Sequence, residues 1–312
     1  MPGNAERRSP CSMRSVLAIV GPTASGKSAL AVSVAKRVGG EVVGTDSMQA
    51  YRGMDIGTAT PTATEQGGVP HHMLDVWDIE HPVTVVEFRD AARAAVDAIH
   101  RRERVPIVVG GSGLYVRAVL EELDFPGTDP SIRAFWEGKL AESGAPALHA
   151  ILAERDPAAA AAIEPNNGRR IVRALEVNEL TGGPFVARLP EPEDHYPTLR
   201  VGLRIPRAEL DARIEARVDA MWQAGFVQEV RRLEGRGLAA APTASAALGY
   251  APILRYLAGE IDESTARDLT IEDTRKFARR QQRWFAKDRR IHWWDYDAPG
   301  LDAEVAALLT AT

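Results

Sequence analysis

The chain has 312 residues, of which 45% are hydrophobic and 26% are charged, and its formal net charge at pH 7 is −5. This composition permits a buried core, and the length suits one large α/β domain with an insertion, or two domains. The single cysteine, Cys11, excludes a disulfide framework within the chain, and no apolar run is long enough to span a bilayer. We therefore expect a cytoplasmic protein with no membrane contact.

Residues 1–14 mix Pro, Gly, Ser and Arg and contain no apolar segment. A secretory signal needs such a segment, so we predict a flexible start of the chain instead.

Short apolar runs alternate with helical segments over the next hundred residues. The runs 15–20, 41–45 and 105–109 predict buried parallel strands, and the segments 29–38 and 85–102 predict helices between them. This alternation predicts an α/β fold, a parallel sheet flanked by helices. Ligands bind beyond the carboxyl ends of such strands. The three strands end at Gly21, Asp46 and Gly110, so we expect these segments to converge on one site.

The pattern changes near Asp124. Helical stretches with Pro and Gly run to about Pro197, and a further strand follows at 199–205. A long helix is predicted over 207–235, and the remainder reads as mostly helical. We predict a catalytic domain of residues 15–123 and 198–312, and a helical insertion domain of residues 124–197.

The most specific motif lies between the first strand and the first helix. It reads G-x-x-x-x-G-K-S and consists of Gly21, Pro22, Thr23, Ala24, Ser25, Gly26, Lys27 and Ser28. In such a P-loop the backbone N–H groups surround a phosphate chain, the lysine adds a positive charge, and the serine hydroxyl can ligate Mg²⁺. The motif predicts phosphate binding, but it does not predict hydrolysis.

The P-loop alone leaves other functions open. A P-loop NTPase usually has an aspartate at the end of a second apolar strand, whereas the strand 105–109 ends at Gly110 and Gly111. A kinase of a nucleotide or small molecule remains an alternative, as does an RNA-binding module that is not an enzyme.

Several further motifs occur in a fixed order. They are Asp46-Ser47, Tyr51-Arg-Gly-Met-Asp-Ile-Gly-Thr-Ala59, Pro70-His-His-Met-Leu-Asp75, Gly110-Gly-Ser-Gly-Leu-Tyr115, Asp129-Pro-Ser-Ile-Arg133, Pro165-Asn-Asn-Gly-Arg-Arg170, Arg173-Ala-Leu-Glu176 and Arg213-Ile-Glu-Ala-Arg217. Together with the P-loop, they resemble the bacterial tRNA dimethylallyltransferase (isopentenyl-tRNA transferase) family over nearly the whole chain after Ser15.

The resemblance implies transfer of a dimethylallyl group from dimethylallyl diphosphate to the exocyclic amine of the adenine 3′ to the anticodon of tRNA, with Mg²⁺ as cofactor. It implies that Asp46 is the general base, with a helix cap or outer-sphere support of Mg²⁺ as the alternative. Arg217, and more weakly Arg213, would bind the diphosphate, unless they are ordinary surface arginines. Ser112 stands where the family usually has Thr, and its hydroxyl is assigned to the catalytic site.

The same resemblance assigns tRNA contacts to Asp46, Ser47, Met48, Gln49, Ser112, Arg133, Arg169, Arg170 and Arg173. A second basic run, 275–290, contains interleaved aromatic residues that either face RNA or pack in the core of an amphipathic helix. We place Phe277, Trp284 and Phe285 in the core. The sequence departs from the family at Ala251-Pro252, and we assign no contact there. Because no pairing signal is present, we expect a monomer that binds the anticodon stem-loop.

Overall fold

The computed structural model describes residues 15–186, 191 and 193–311. Residues 1–14, which include Cys11 and the predicted flexible start, lie outside the described residues. The described residues form two compact units, one from those up to Glu121 and from Asp194 onward, the other from those between Glu122 and Glu193. The sequence analysis predicted the second unit at residues 124–197, within a few residues of these bounds.

The first unit is built on a six-stranded, entirely parallel sheet, which confirms the predicted α/β fold. The strands lie in the order β3-β2-β4-β1-β5-β6. Their bounds are β1 Val16–Val20, β2 Gly40–Gly44, β3 His71–His72, β4 Val105–Gly110, β5 Thr198–Arg204 and β6 Ile291–Asp295.

Both faces of this sheet are buried, as expected for a parallel sheet. In β1, Val16, Ala18 and Val20 join the hydrophobic cluster on one face, whereas Leu17 and Ile19 join the cluster on the other. Successive side chains of a strand point to opposite faces, so a strand covered on both sides reads as a continuous apolar run.

Twelve α-helices accompany the strands in the described part of the chain. Their bounds are α1 Lys27–Val38, α2 Ala63–Gln66, α3 Val85–Arg101, α4 Gly113–Leu120, α5 Pro130–Arg155, α6 Pro157–Ala162, α7 Gly168–Thr181, α8 Arg207–Gln223, α9 Phe226–Glu234, α10 Tyr250–Leu257, α11 Glu263–Phe285 and α12 Leu301–Ala311. None of these helices is both long enough and apolar enough to cross a membrane.

The predicted long helix over 207–235 is wrong, because the structure divides it into α8 and α9. Gly225 separates them with a backbone φ of 98°, a left-handed conformation that favours glycine and ends a helix. The break lets α9 bury Phe226, Val230 and Leu233 in the core.

The second unit consists of α5, α6 and α7 around its own core of Trp136, Leu148, Leu152, Ile171 and Leu175. α5 is kinked at Gly144, where φ is 78° and a proline follows two residues later.

Candidate active site

One cavity of about 320 Å³ lies beyond the carboxyl ends of β1, β2 and β4. The P-loop follows β1, Asp46 follows β2 and Ser112 follows β4, so the structure brings together the three segments that the sequence placed at strand ends. The predicted site residues that line this cavity are Thr23, Lys27, Ser28, Asp46, Ser47, Met48, Gln49, Ser112 and Arg217.

The P-loop connects β1 to α1, and Gly26 occupies the N-cap position with a φ of 92°. The carbonyl oxygen of Pro22 accepts hydrogen bonds from Ser25 Oγ at 2.8 Å and from Lys27 Nζ at 2.6 Å. Burial lowers the pKa of Lys27 to about 7; the nearby Arg217 cation also lowers it, and Asp46 opposes the shift. An anion at this loop would therefore favour the protonated lysine.

Arg217 reaches the P-loop from α8, where its Nη1 donates a hydrogen bond to Thr23 Oγ1 at 3.2 Å. Burial lowers the pKa of this guanidinium, while Asp46 and Glu65 raise it. Because an arginine stays protonated at any ordinary pH, it supplies a fixed positive charge beside the loop.

The structure does not bring Arg213 to the cavity. Its Nε donates to Glu209 Oε1 at 3.2 Å, and its guanidinium lies over the ring of Tyr296, 4.2 Å from the ring centroid. Arg213 and Arg217 are one helical turn apart, but only Arg217 lines the cavity.

Asp46 lies in the turn after β2, and its Oδ1 accepts a hydrogen bond from the backbone N–H of Met48 at 3.0 Å. Burial raises the pKa of this carboxyl, and the hydrogen bond from Met48 together with the Lys27 and Arg217 cations opposes that rise. No α-helix begins at Asp46, so the structure gives it no helix-capping role. A carboxyl group with a raised pKa is therefore exposed to the cavity that contains the phosphate-binding loop.

Ser112 is the N-cap residue of α4, but its side chain makes no capping hydrogen bond. Ser112 lines the cavity, between the Gly110-Gly111 turn and α4. The glycines are required here, because a Cβ at Gly110 would lie 1.8 Å from Thr45 Oγ1.

Sequence reasoning missed Gln281 of α11. Its Oε1 accepts a hydrogen bond from the backbone N–H of Thr23 at 2.8 Å, and the side chain is buried. A Cβ at Gly111 would lie 2.2 Å from Gln281 Nε2, so the glycine makes room for this amide. The only available signal was spacing: Thr274, Phe277 and Gln281 lie at i, i+3 and i+7 and share one helix face.

Of the three aromatic residues in the run 275–290 that we placed in the core, only one is buried. Phe285 is buried as predicted, but Phe277 is half-buried and lines the cavity, and Trp284 is 42% exposed. The indole of Trp284 packs where a side chain on Gly113 would stand. Trp293, beyond the run, belongs to strand β6.

In the second unit, two of the four predicted tRNA-contact arginines bind a buried carboxylate. Arg133 and Arg173 each donate to Glu176 Oε2 at 2.8 Å, and Glu176 is completely buried. Arg169 and Arg170 are exposed in the first turn of α7.

Several side chains that line the cavity carry oxygen atoms, and among them the P-loop hydroxyl of Ser28 is the predicted ligand of Mg²⁺. Mg²⁺ usually binds one or two protein oxygens together with phosphate oxygens and waters, so this hydroxyl fits the ion.

The chain is similar to known proteins over most of its length. A sequence model of the family "IPP transferase" matches residues 49–288. The tRNA dimethylallyltransferase of Thermobifida fusca is 57% identical over 302 residues, which is 95% of each chain. That of Acidothermus cellulolyticus is 54% identical over 312 residues, covering 100% of this chain and 96% of its own.

Solved structures give the same result. The crystal structure of full-length tRNA isopentenylpyrophosphate transferase from Bacillus halodurans matches with a TM-score of 0.72 at 39% identity, over 96% of each chain. A eukaryotic dimethylallyltransferase acting on tRNA matches with a TM-score of 0.77 at 25% identity, over 95% of this chain and 78% of its own. The chain therefore belongs to the IPP transferase family of enzymes.

Proposed function

We propose that this protein transfers a dimethylallyl group from dimethylallyl diphosphate to the exocyclic amine of the adenine 3′ to the anticodon of tRNA. The observation that carries the proposal is the shared cavity: the phosphate-binding loop with Lys27 and Arg217 and the carboxyl group of Asp46 all line it.

The diphosphate binds at the P-loop as a leaving group. When the allylic carbon–oxygen bond breaks, negative charge develops on the departing phosphate oxygens, and fixed positive charge stabilises it. Lys27 and Arg217 supply that charge from two different elements, α1 and α8. Arg213 has no part in this site, since Glu209 and Tyr296 hold it elsewhere.

Asp46 accepts the proton that the amine must lose. The exocyclic amine of adenine is a weak nucleophile, and a carboxylate that accepts a hydrogen bond from it assists attack on the allylic carbon. Burial raises the pKa of Asp46 and so makes the carboxylate a better proton acceptor.

Mg²⁺ is the proposed cofactor, and the hydroxyl of Ser28 would hold it together with phosphate oxygens and waters. The ion would neutralise charge on the diphosphate as it leaves. With or without the ion, the side chains of Lys27 and Arg217 bind and orient the diphosphate.

The target adenine must leave the base stack of the anticodon loop to enter the cavity, which costs a few kcal/mol. Contacts with tRNA phosphates offset this cost. We assign such contacts to the exposed Arg169 and Arg170, and we propose that the protein acts as a monomer on the anticodon stem-loop.

The test incubates the protein with unmodified anticodon stem-loop, Mg²⁺ and either labelled dimethylallyl diphosphate or labelled ATP. Label from the diphosphate should appear in the RNA. Consumption of ATP without prenylation would instead support a small-molecule or nucleotide kinase, and binding of RNA without either reaction would support a non-enzymatic module.

A further inference from the structure

Glu229 of α9 is a buried carboxylate, 1% exposed, that binds the loop 55–59. Its Oε2 accepts the backbone N–H groups of Asp55 at 3.0 Å and Ile56 at 2.8 Å. Its Oε1 accepts the N–H of Gly57 at 3.1 Å and the hydroxyl of Tyr250 at 2.7 Å. Four donors on one buried carboxylate make a strong attachment, because hydrogen bonds to a charged group are roughly twice as strong as neutral ones.

Packing fixes the same loop from the other side. A Cβ at Gly57 would lie 2.2 Å from the ring of Phe226 and 2.5 Å from that of Tyr250, so the backbone sits directly against both rings. The loop has little freedom to move relative to α9 and α10.

The loop in turn holds the side chain of Gln49. Gln49 Nε2 donates to the carbonyl oxygens of Thr58 at 3.1 Å and Ala59 at 3.2 Å. Carbonyl oxygens only accept hydrogen bonds, so the amide nitrogen, with its two hydrogens, must face them. The amide cannot rotate by 180° without placing its oxygen against two other oxygens. Gln49 therefore offers its Oε1, an acceptor, to further partners, and it lines the cavity.

We propose that Glu229 is a positioning residue that, through the loop 55–59, fixes Gln49 as a hydrogen-bond acceptor which selects a base with an exocyclic amine. This inference rests on the proposed function. The adenine amine has two hydrogens: Asp46 accepts the one that is lost, and Gln49 Oε1 accepts the other. A base with a keto oxygen at this position, such as hypoxanthine, would place an acceptor against an acceptor.

The experiment measures equilibrium binding of two anticodon stem-loops, one with adenine and one with hypoxanthine at the target position. The protein is loaded with Mg²⁺ and inorganic diphosphate, so that no transfer occurs. The wild-type protein should bind the adenine stem-loop about ten- to a hundredfold more tightly. Gln49→Leu, which removes the acceptor, and Glu229→Gln, which replaces one acceptor oxygen by a donor, should reduce this ratio about threefold or more, and the discrimination that remains is that of Asp46.

Two further readouts separate positioning from a general structural role. In Glu229→Gln, the KM for dimethylallyl diphosphate should stay within about twofold of wild type while the KM for the stem-loop rises about tenfold. The control Glu304→Gln changes an exposed glutamate of α12 and should leave both values and the ratio unchanged. If Glu229→Gln does not fold, Tyr250→Phe takes its place, because it removes one of the four donors and should lower the ratio in part.

A wild-type ratio below threefold overturns the proposal, as does a full wild-type ratio in folded Glu229→Gln or, in its place, Tyr250→Phe. Failure of the proposed function would look different: the wild-type protein would not prenylate the adenine stem-loop at all, whatever its binding ratio.

Discussion

Gln281 Oε1 accepts a hydrogen bond from the backbone N–H of Thr23 at 2.8 Å, across 258 residues of sequence. The hydroxyl of the same threonine accepts a hydrogen bond from Arg217. Helices α8 and α11 therefore both meet the P-loop at one residue. The shape of the phosphate-binding loop depends on two helices from the last third of the chain as well as on its own glycines.

Gln281→Leu should weaken donor binding. The substitution leaves the half-buried Thr23 N–H without its protein partner, which costs up to about 1–3 kcal/mol and frees the loop to shift. We expect the KM for dimethylallyl diphosphate to rise about tenfold or more, measured by steady-state kinetics at saturating stem-loop. Gln282→Leu is the matched control, since Gln282 is adjacent on α11 and does not line the cavity. Equal KM values for the two variants would contradict the role of Gln281.

Asp46→Asn should slow the chemical step while tRNA still binds. The amide cannot take up the proton of the attacking amine, and general-base catalysis typically contributes about 10²–10⁴-fold. Single-turnover rates with saturating substrates measure this loss, and the dissociation constant of the stem-loop should remain within about threefold. Asp297→Asn, at an exposed position that does not line the cavity, should match the wild type. A near-normal rate in Asp46→Asn would remove this residue from the base role.

Substitutions of Arg217 and Arg213, which lie one helical turn apart, should have very different effects on activity. Arg217→Gln removes a fixed charge beside the P-loop, and loss of one such stabilising group typically lowers kcat by about 10²–10³-fold. Arg213→Gln loses only a half-exposed ion pair with Glu209 and the stacking on Tyr296, so its kcat and donor KM should change less than about threefold. Comparable losses in both variants would show that Arg213 also reaches the diphosphate.

The contrast between these arginines shows what sequence reasoning can and cannot reach. The P-loop, Asp46 and Ser112 were predictable because each directly follows an apolar strand, and parallel strands bring their carboxyl ends to one edge of the sheet. Spacing on a helix, by contrast, says which residues share a face but not which end of that face meets the cavity, so spacing alone could not exclude Arg213 beside the favoured Arg217.

Edge strands, and contacts between residues far apart in the sequence, could also not be predicted. β6 was missed because its Ile-His-Trp-Trp-Asp segment lies at the edge of the sheet, has only one buried residue and lacks a continuous apolar run. Gln281 and Glu229 act through partners more than 170 residues away, and no local pattern marks a glutamine or glutamate on the inner face of a helix as a ligand of a distant loop.

The stability of the second unit should depend on the ionisation of Glu176. Burial would raise the pKa of this carboxyl, but hydrogen bonds from Arg133, Thr128 and Arg173 outweigh that effect and hold the pKa at about 2. A carboxyl whose pKa is lower in the folded than in the unfolded chain stabilises the fold above its unfolded pKa, near 4.5, and this contribution is lost as the pH falls toward 2.

Urea titrations at several pH values should show that the free energy of unfolding falls by up to about 3 kcal/mol over that window. Glu176→Gln should be less stable at pH 7 and should lose less between pH 5 and pH 3 than the wild type, whereas Glu154→Gln, on the exposed face of α5, should follow the wild-type curve. An identical pH dependence in the wild type and Glu176→Gln would show that ionisation of this carboxyl does not contribute to the stability.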